Sequence, residues 1–128
     1  MFKGSLVALV TPFDGKDRVD YASLKRLVDF HIEQGTNALV IAGTTGESPT
    51  LRRSEHIELI GRVLEIADGR IPVIAGTGSN STFQSVELSK AVADARLAAY
   101  MAVVPYYNKP TQEGLYRHYM TIADAIDR

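Results

Sequence analysis

Four short apolar runs recur along this chain about thirty residues apart, at positions 5–10, 38–42, 71–75 and 100–104. Each is followed by a longer stretch whose apolar residues return with helical spacing. An interval of that length is what a right-handed crossover needs to lay the next strand parallel to the last. The pattern therefore predicts four consecutive strand–helix units and a parallel sheet. The chain has 128 residues, enough for one domain with its own core, taken as residues 1–128.

The helices carry their own boundary signals. The first is expected over 21–34, with Asp20 as N-cap, Leu24, Leu27, Val28, His31 and Ile32 on one face, and Gly35 at a left-handed stop. The second presents Ile57, Ile60, Val63, Leu64 and Ala67 and stops at Asp68-Gly69. Arg52 is a poor cap, so Thr50 or Ser54 is expected to start it. Ser81-Thr82-Phe83-Gln84 has capping-box spacing and opens a third helix running through Val86, Ala91, Val92 and Ala95. The fourth opens after Pro110 at Thr111 and is expected to bury Leu115, Tyr119, Ile122, Ala123 and Ile126.

Four such units make either half of a (β/α)₈ barrel or a small open doubly wound sheet. Polar segments fall at the C-terminal end of every run: Thr11-Pro12-Phe13, Gly43-Thr44-Thr45-Gly46-Glu47-Ser48, Gly76-Thr77-Gly78 and Pro105-Tyr106-Tyr107-Asn108. Several strand ends converging on one site is the barrel arrangement, whereas an open sheet gathers its ligand at one switch point. The expected fold class is α/β, a (β/α)₄ half barrel of parallel strands.

Bulk properties exclude several classes. A formal net charge of −1 gives no electrostatic footprint for nucleic acid or an anionic membrane. Without cysteine there is no disulfide, thiolate metal site or cysteine nucleophile. The apolar stretch Leu6-Val7-Ala8-Leu9-Val10 is far too short to span a bilayer, and the amino terminus lacks the pattern of a signal peptide. A cytoplasmic location is expected.

The loop at 43–48 places two threonines between glycines just after an apolar run. Hydroxyls and open backbone N–H groups there can seat a carboxylate or begin a proton relay, or can make an ordinary turn. In Tyr106-Tyr107-Asn108-Lys109-Pro110 a phenol could shuttle a proton if the Thr44 hydroxyl lies within reach, or both rings could pack at an interface. Gly76-Thr77-Gly78 reads as a turn, since no lysine follows to make a phosphate loop. Glu47 reads as a loop anchor accepting backbone hydrogen bonds. His31 reads as a packed helix residue, and His56 and His118 lack a second ligand at helical spacing, so no metal site is expected.

Together these segments resemble the dihydrodipicolinate synthase family, of the N-acetylneuraminate lyase and class I aldolase type. The resemblance is carried by residues 4–13, the 43–48 loop, residues 69–78 and the run from Pro105 to Tyr116, and it covers essentially the whole chain. It implies a (β/α)₈ barrel and a Schiff-base-forming lyase that condenses pyruvate with aspartate semialdehyde in lysine biosynthesis, with no cofactor. It implies that Thr45 holds the pyruvate carboxylate. Thr44 and Tyr107 belong to a hydroxyl relay, with Tyr107 reaching a neighbouring subunit's site in a homo-oligomer.

Two departures from the family pattern stand out, and the first decides activity. A full barrel needs roughly 250 residues, and the family's imine-forming lysine lies on the sixth strand, beyond Arg128. Lys3, Lys16, Lys25, Lys90 and Lys109 fall in loops or on helix surfaces, so the chain alone is expected to be inactive. Arg96 stands where the family has glycine at a left-handed helix stop. The resemblance also implies a lysine feedback site at Ser48, Arg53, His56, Asn80, Gln84 and Tyr106. Here Gln84 replaces a glutamate and Arg53 a histidine, which weakens the site for a cationic amino acid. Beside the enzyme reading stands a non-catalytic half barrel that self-associates through its open edges. A small phosphate-binding domain is a weaker third, lacking the glycine-rich loop with its lysine.

Overall fold

The computed structural model describes residues 2–93 and 95–126. In chain order these form β1 (Leu6–Ala8), α1 (Tyr21–Glu33), β2 (Ala38–Ile41), a 3₁₀ turn (Ser48–Thr50), α2 (Arg53–Ala67), β3 (Val73–Gly76), α3 (Thr82–Ala91), β4 (Ala99–Met101) and α4 (Gln112–Ile126). The strands make one parallel sheet in the order β1-β2-β3-β4. Leu6 pairs with Ala38, Leu39 with Val73 and Ile74 with Ala99.

Alternation along the strands divides the apolar residues between two faces. Leu39, Ile41, Val73 and Ala75 join Leu24 and Val28 of α1 and Leu59, Ile60, Val63 and Ala67 of α2 in one buried cluster. Ala38, Val40, Ile74 and Ala99 form a separate small cluster on the other face, with no helix residue among them. A doubly wound sheet would carry helices on both faces. This sheet carries them on one, as a barrel segment does. Fully burying each Leu, Ile or Val contributes about 1.5–3 kcal/mol, so the helix side supplies most of the cohesion.

α1 starts as expected. The Asp20 carboxylate accepts from the N–H groups of Ala22 and Ser23, each at 3.0 Å, and from the Ser23 hydroxyl. Those bonds, that from the Ser23 side chain first, hold its pKa below the ordinary value. Gly35 has φ +73, the left-handed conformation a helix stop requires.

Other boundaries differ from expectation. Arg52 itself occupies the N-cap of α2, because the 3₁₀ turn uses Thr50. Arg52 has no acceptor to offer, but the Glu55 carboxylate reaches back to accept its N–H at 2.9 Å. α3 ends at Ala91, with Val92 as C-cap at φ −115, rather than continuing to Ala95. Arg96 is not among the residues with positive φ, so it does not form the left-handed stop that the family's glycine makes there. On α4 the buried residues are His118 and Ile122, whereas Tyr119 and Ala123 are exposed, because the helix packs chiefly against α3. No helix among the described residues is long and apolar enough to cross a membrane.

Candidate active site

The C-terminal ends of β1, β2 and β3 are locked together by contacts between main chains. Ala42, just past β2, is 2% exposed and has φ 55, turning the chain abruptly into the threonine loop. That turn fits because of its glycine neighbours. A Cβ on Gly76 would lie 2.5 Å from the Ala42 carbonyl oxygen and 2.9 Å from Gly43 N, and one on Gly46 would lie 3.0 Å from the Leu9 carbonyl oxygen. A Cβ on Gly78 would lie 2.3 Å from Val103 N. Gly76-Thr77-Gly78 is therefore a close-packed strand end, not the free turn read from sequence. Thr77 itself is fully buried, its Oγ1 accepting from the Ser89 hydroxyl at 2.8 Å.

Three polar residues complete the lock. Thr11 Oγ1, buried at the end of the β1 segment, donates to the Gly46 carbonyl at 2.7 Å. Glu47 adopts a left-handed φ of 59, and its main-chain carbonyl, rather than the expected carboxylate, accepts from Thr50 N and Oγ1. His56 on α2 is 5% exposed, with Nε2 2.8 Å from the Gly76 carbonyl oxygen. Burial pushes the His56 pKa below the ordinary histidine value, against the smaller opposing effect of that hydrogen bond. Because a carbonyl oxygen can only accept, Nε2 is the donor in this bond. Neither Thr11 nor His56 was assigned this tie from sequence. The Thr-Pro step after an apolar run marks Thr11 as polar at a strand mouth, but its partner lies 35 residues away.

Above this platform lies a cavity of about 450 Å³ between the β2, β3 and β4 loops and the first turns of α2 and α3. Thr44, Ser48, Arg53, His56, Gln84 and Tyr106 are all in its wall. The structure thus brings together five of the six residues of the implied feedback site, with Thr44 beside them. Asn80 is outside the lining, and its carbonyl accepts from Asn108 Nδ2 at 2.8 Å. Gln84 is held by the Ser79 hydroxyl, which donates to its Oε1 at 3.0 Å. Arg53 donates to the Glu87 main-chain carbonyl at 3.3 Å.

Thr45 is exposed at the strand mouth and lies outside this cavity. Tyr107 projects from the β4–α4 loop at 92% exposure, with φ 70. Among the described residues no hydrogen bond joins it to Thr44. The capping-box residues of α3 are half used: Ser81 Oγ accepts from Gln84 N at 3.3 Å, while Ser79 Oγ takes the Ser81 N–H at 3.2 Å.

The same segments recur in known proteins. The model of the dihydrodipicolinate synthetase family matches residues 1–128. The chain belongs to that family. The 4-hydroxy-tetrahydrodipicolinate synthase of Pseudomonas savastanoi pv. phaseolicola is 59% identical over 127 residues, 99% of this chain and 44% of the relative. That of Pseudomonas aeruginosa is 57% identical over 126 residues, 98% of this chain and 43% of the relative. Among solved structures, the chloride-inhibited dihydrodipicolinate synthase of Acinetobacter baumannii, complexed with pyruvate, superposes with a TM-score of 0.95 at 54% identity. It covers 98% of this chain, which covers 43% of it. The chain thus spans less than half the length of these family members and corresponds to their amino-terminal half. Its fold is the matching half of their barrel.

Proposed function

We propose that this chain supplies the carboxylate-holding and proton-relay half of a dihydrodipicolinate synthase site, in which a lysine from the remaining barrel condenses with pyruvate. The observation that supports this best is the threonine loop, held open at a strand mouth by the Ala42 turn and by the Gly46 and Gly76 contacts. Thr45 N–H and hydroxyl suit a small carboxylate. Thr44 and the phenol of Tyr107 are the relay hydroxyls, with Tyr107 serving a neighbouring copy in a homo-oligomer, in keeping with its outward projection. In the reaction the lysine amine adds to the pyruvate ketone and water leaves as the C=N bond forms. The carbon next to the imine then loses a proton and attacks the aldehyde of aspartate semialdehyde. The relay moves those protons.

A cytoplasmic enzyme without metal or cofactor fits this chemistry. The lysine feedback site is weakened here, because Gln84 is neutral and Arg53 cationic where an ammonium would sit. The other reading, a self-associating half barrel without catalysis, is favoured by the open β1 and β4 edges.

Borohydride reduction with pyruvate, read by intact mass, distinguishes the two. The 128-residue chain alone is expected to give no adduct. Fused to the carboxyl-terminal part of the Pseudomonas aeruginosa relative, it is expected to trap one pyruvate, on a lysine outside residues 1–128, with Thr45→Val sharply reducing trapping at low pyruvate. An adduct on the isolated chain, or trapping in the fusion indifferent to Thr45→Val, contradicts the proposal.

A further inference from the structure

Tyr107 is 92% exposed, so no packing of its ring within this chain sets where its hydroxyl points. Its direction comes from the backbone of residues 106–109, and that backbone is unusual. Tyr107 has φ 70 and Lys109 has φ 46, both left-handed and neither a glycine. Such conformations persist only where the surroundings over-determine them.

Two hydrogen bonds define the loop. Asn108 N–H donates to the Tyr106 carbonyl at 2.9 Å, a bond internal to the loop. Asn108 Nδ2 donates to the Asn80 carbonyl at 2.8 Å, across to the β3–α3 loop. Among the described residues, no other side chain of residues 106–109 is hydrogen-bonded. The anchor it reaches is itself firm. Ser79 N–H donates to Ser85 Oγ at 2.8 Å, that hydroxyl lies against the Ser81 carbonyl at 3.0 Å, and Ser85 is fully buried.

We infer that Asn108 is a positioning residue, whose carboxamide bond to the Asn80 carbonyl fixes the left-handed pair at Tyr107 and Lys109 and so aims the Tyr107 phenol. The inference rests on the reading of Tyr107 as a relay hydroxyl. A carboxamide is required at this position, because the isosteric aspartate keeps the volume but has no N–H and sets a negative charge against a carbonyl oxygen.

Asn108→Asp and Tyr107→Phe separate this role from mere stability. Hydrogen exchange is measured on the 128-residue chain, and kinetics on the fusion described above. In Asn108→Asp the amide of residue 108, bonded to the Tyr106 carbonyl, is expected to exchange about three- to tenfold faster relative to its intrinsic rate, as the loop that holds it loosens with the loss of one hydrogen bond. Amides of β3 and α3 are expected to be unchanged. In the fusion, kcat falls while the KM for pyruvate holds, as it does for Tyr107→Phe. Unchanged exchange at the amide of residue 108 overturns the inference. So does a lowered kcat in Tyr107→Phe beside an undisturbed one in Asn108→Asp. If neither variant lowers kcat, the relay reading of Tyr107 has failed, and the positioning role falls with it.

Discussion

The imidazole of His56 sits between α2 and the end of β3, 5% exposed, with Nε2 on the Gly76 carbonyl. Burial lowers its pKa, and the same cause lowers that of His118, which is 4% exposed with Nδ1 2.8 Å from Thr82 Oγ1. Both rings therefore take up protons more readily in the unfolded chain. Their contribution is fully present above the ordinary histidine pKa of about 6.5 and is lost as pH falls below it, at most about 1.4 kcal/mol per pH unit for each ring. The melting temperature is expected to hold from pH 8 to 7 and decline from 6.5 to 5, with a shallower decline in His56→Gln; a decline of equal slope in that variant would contradict this. Asp14, Asp20 and Asp29, whose pKa values are lowered chiefly by hydrogen bonds from Arg18, Ser23 and Lys25, add a separate loss only below about pH 4. At this scale the sequence was read well for the Asp20 cap and Gly35, where cause and effect lie within one turn. It was silent on His56 and Thr11, whose partners are brought near only by the crossovers.

At the scale of elements, the glycines divide by what surrounds them. Gly61 lies inside α2 with nothing within 4 Å of an added Cβ, so Gly61→Ala is expected to stabilise the chain by about 0.5–1 kcal/mol through helix propensity. Gly76→Ala drives a methyl into the Ala42 carbonyl and Gly43 N, main-chain atoms that cannot turn aside. It is expected to cost about 3 kcal/mol or more and to disturb the threonine loop. Urea unfolding of the two variants checks both signs; a neutral Gly76→Ala would sink the account of the strand mouth. Existence and order of all eight elements were legible from periodicity. Their ends were less so: β2 stops at Ile41 because Ala42 goes left-handed, and Arg52 starts α2 through the carboxylate of Glu55. Each end is decided by backbone conformation or by a borrowed partner, and neither leaves a mark in residue type.

For the whole molecule, one helix-free face predicts association. Among the described residues, β1 and β4 each pair on one side only. Leu6 at 38% and Met101 at 39% stand on the face away from the helices, by their pairing with Ala38 and Gly76. Unpaired edges and an apolar face invite a partner. Light scattering of the 128-residue chain is expected to report a dimer or larger, and a stable monomer at micromolar concentration would contradict it. The choice of half barrel over open sheet was legible from the four polar strand ends. The missing contacts between those ends were not, since they are made by glycine backbones.

Every ladder in the sheet joins neighbours in the sequence. A nascent polypeptide can accordingly add them one after another as it leaves the ribosome, each closing a short loop and none waiting on a distant segment. The threonine mouth draws its contacts from β1, β2 and β3, so this rim can take shape before β4 has docked.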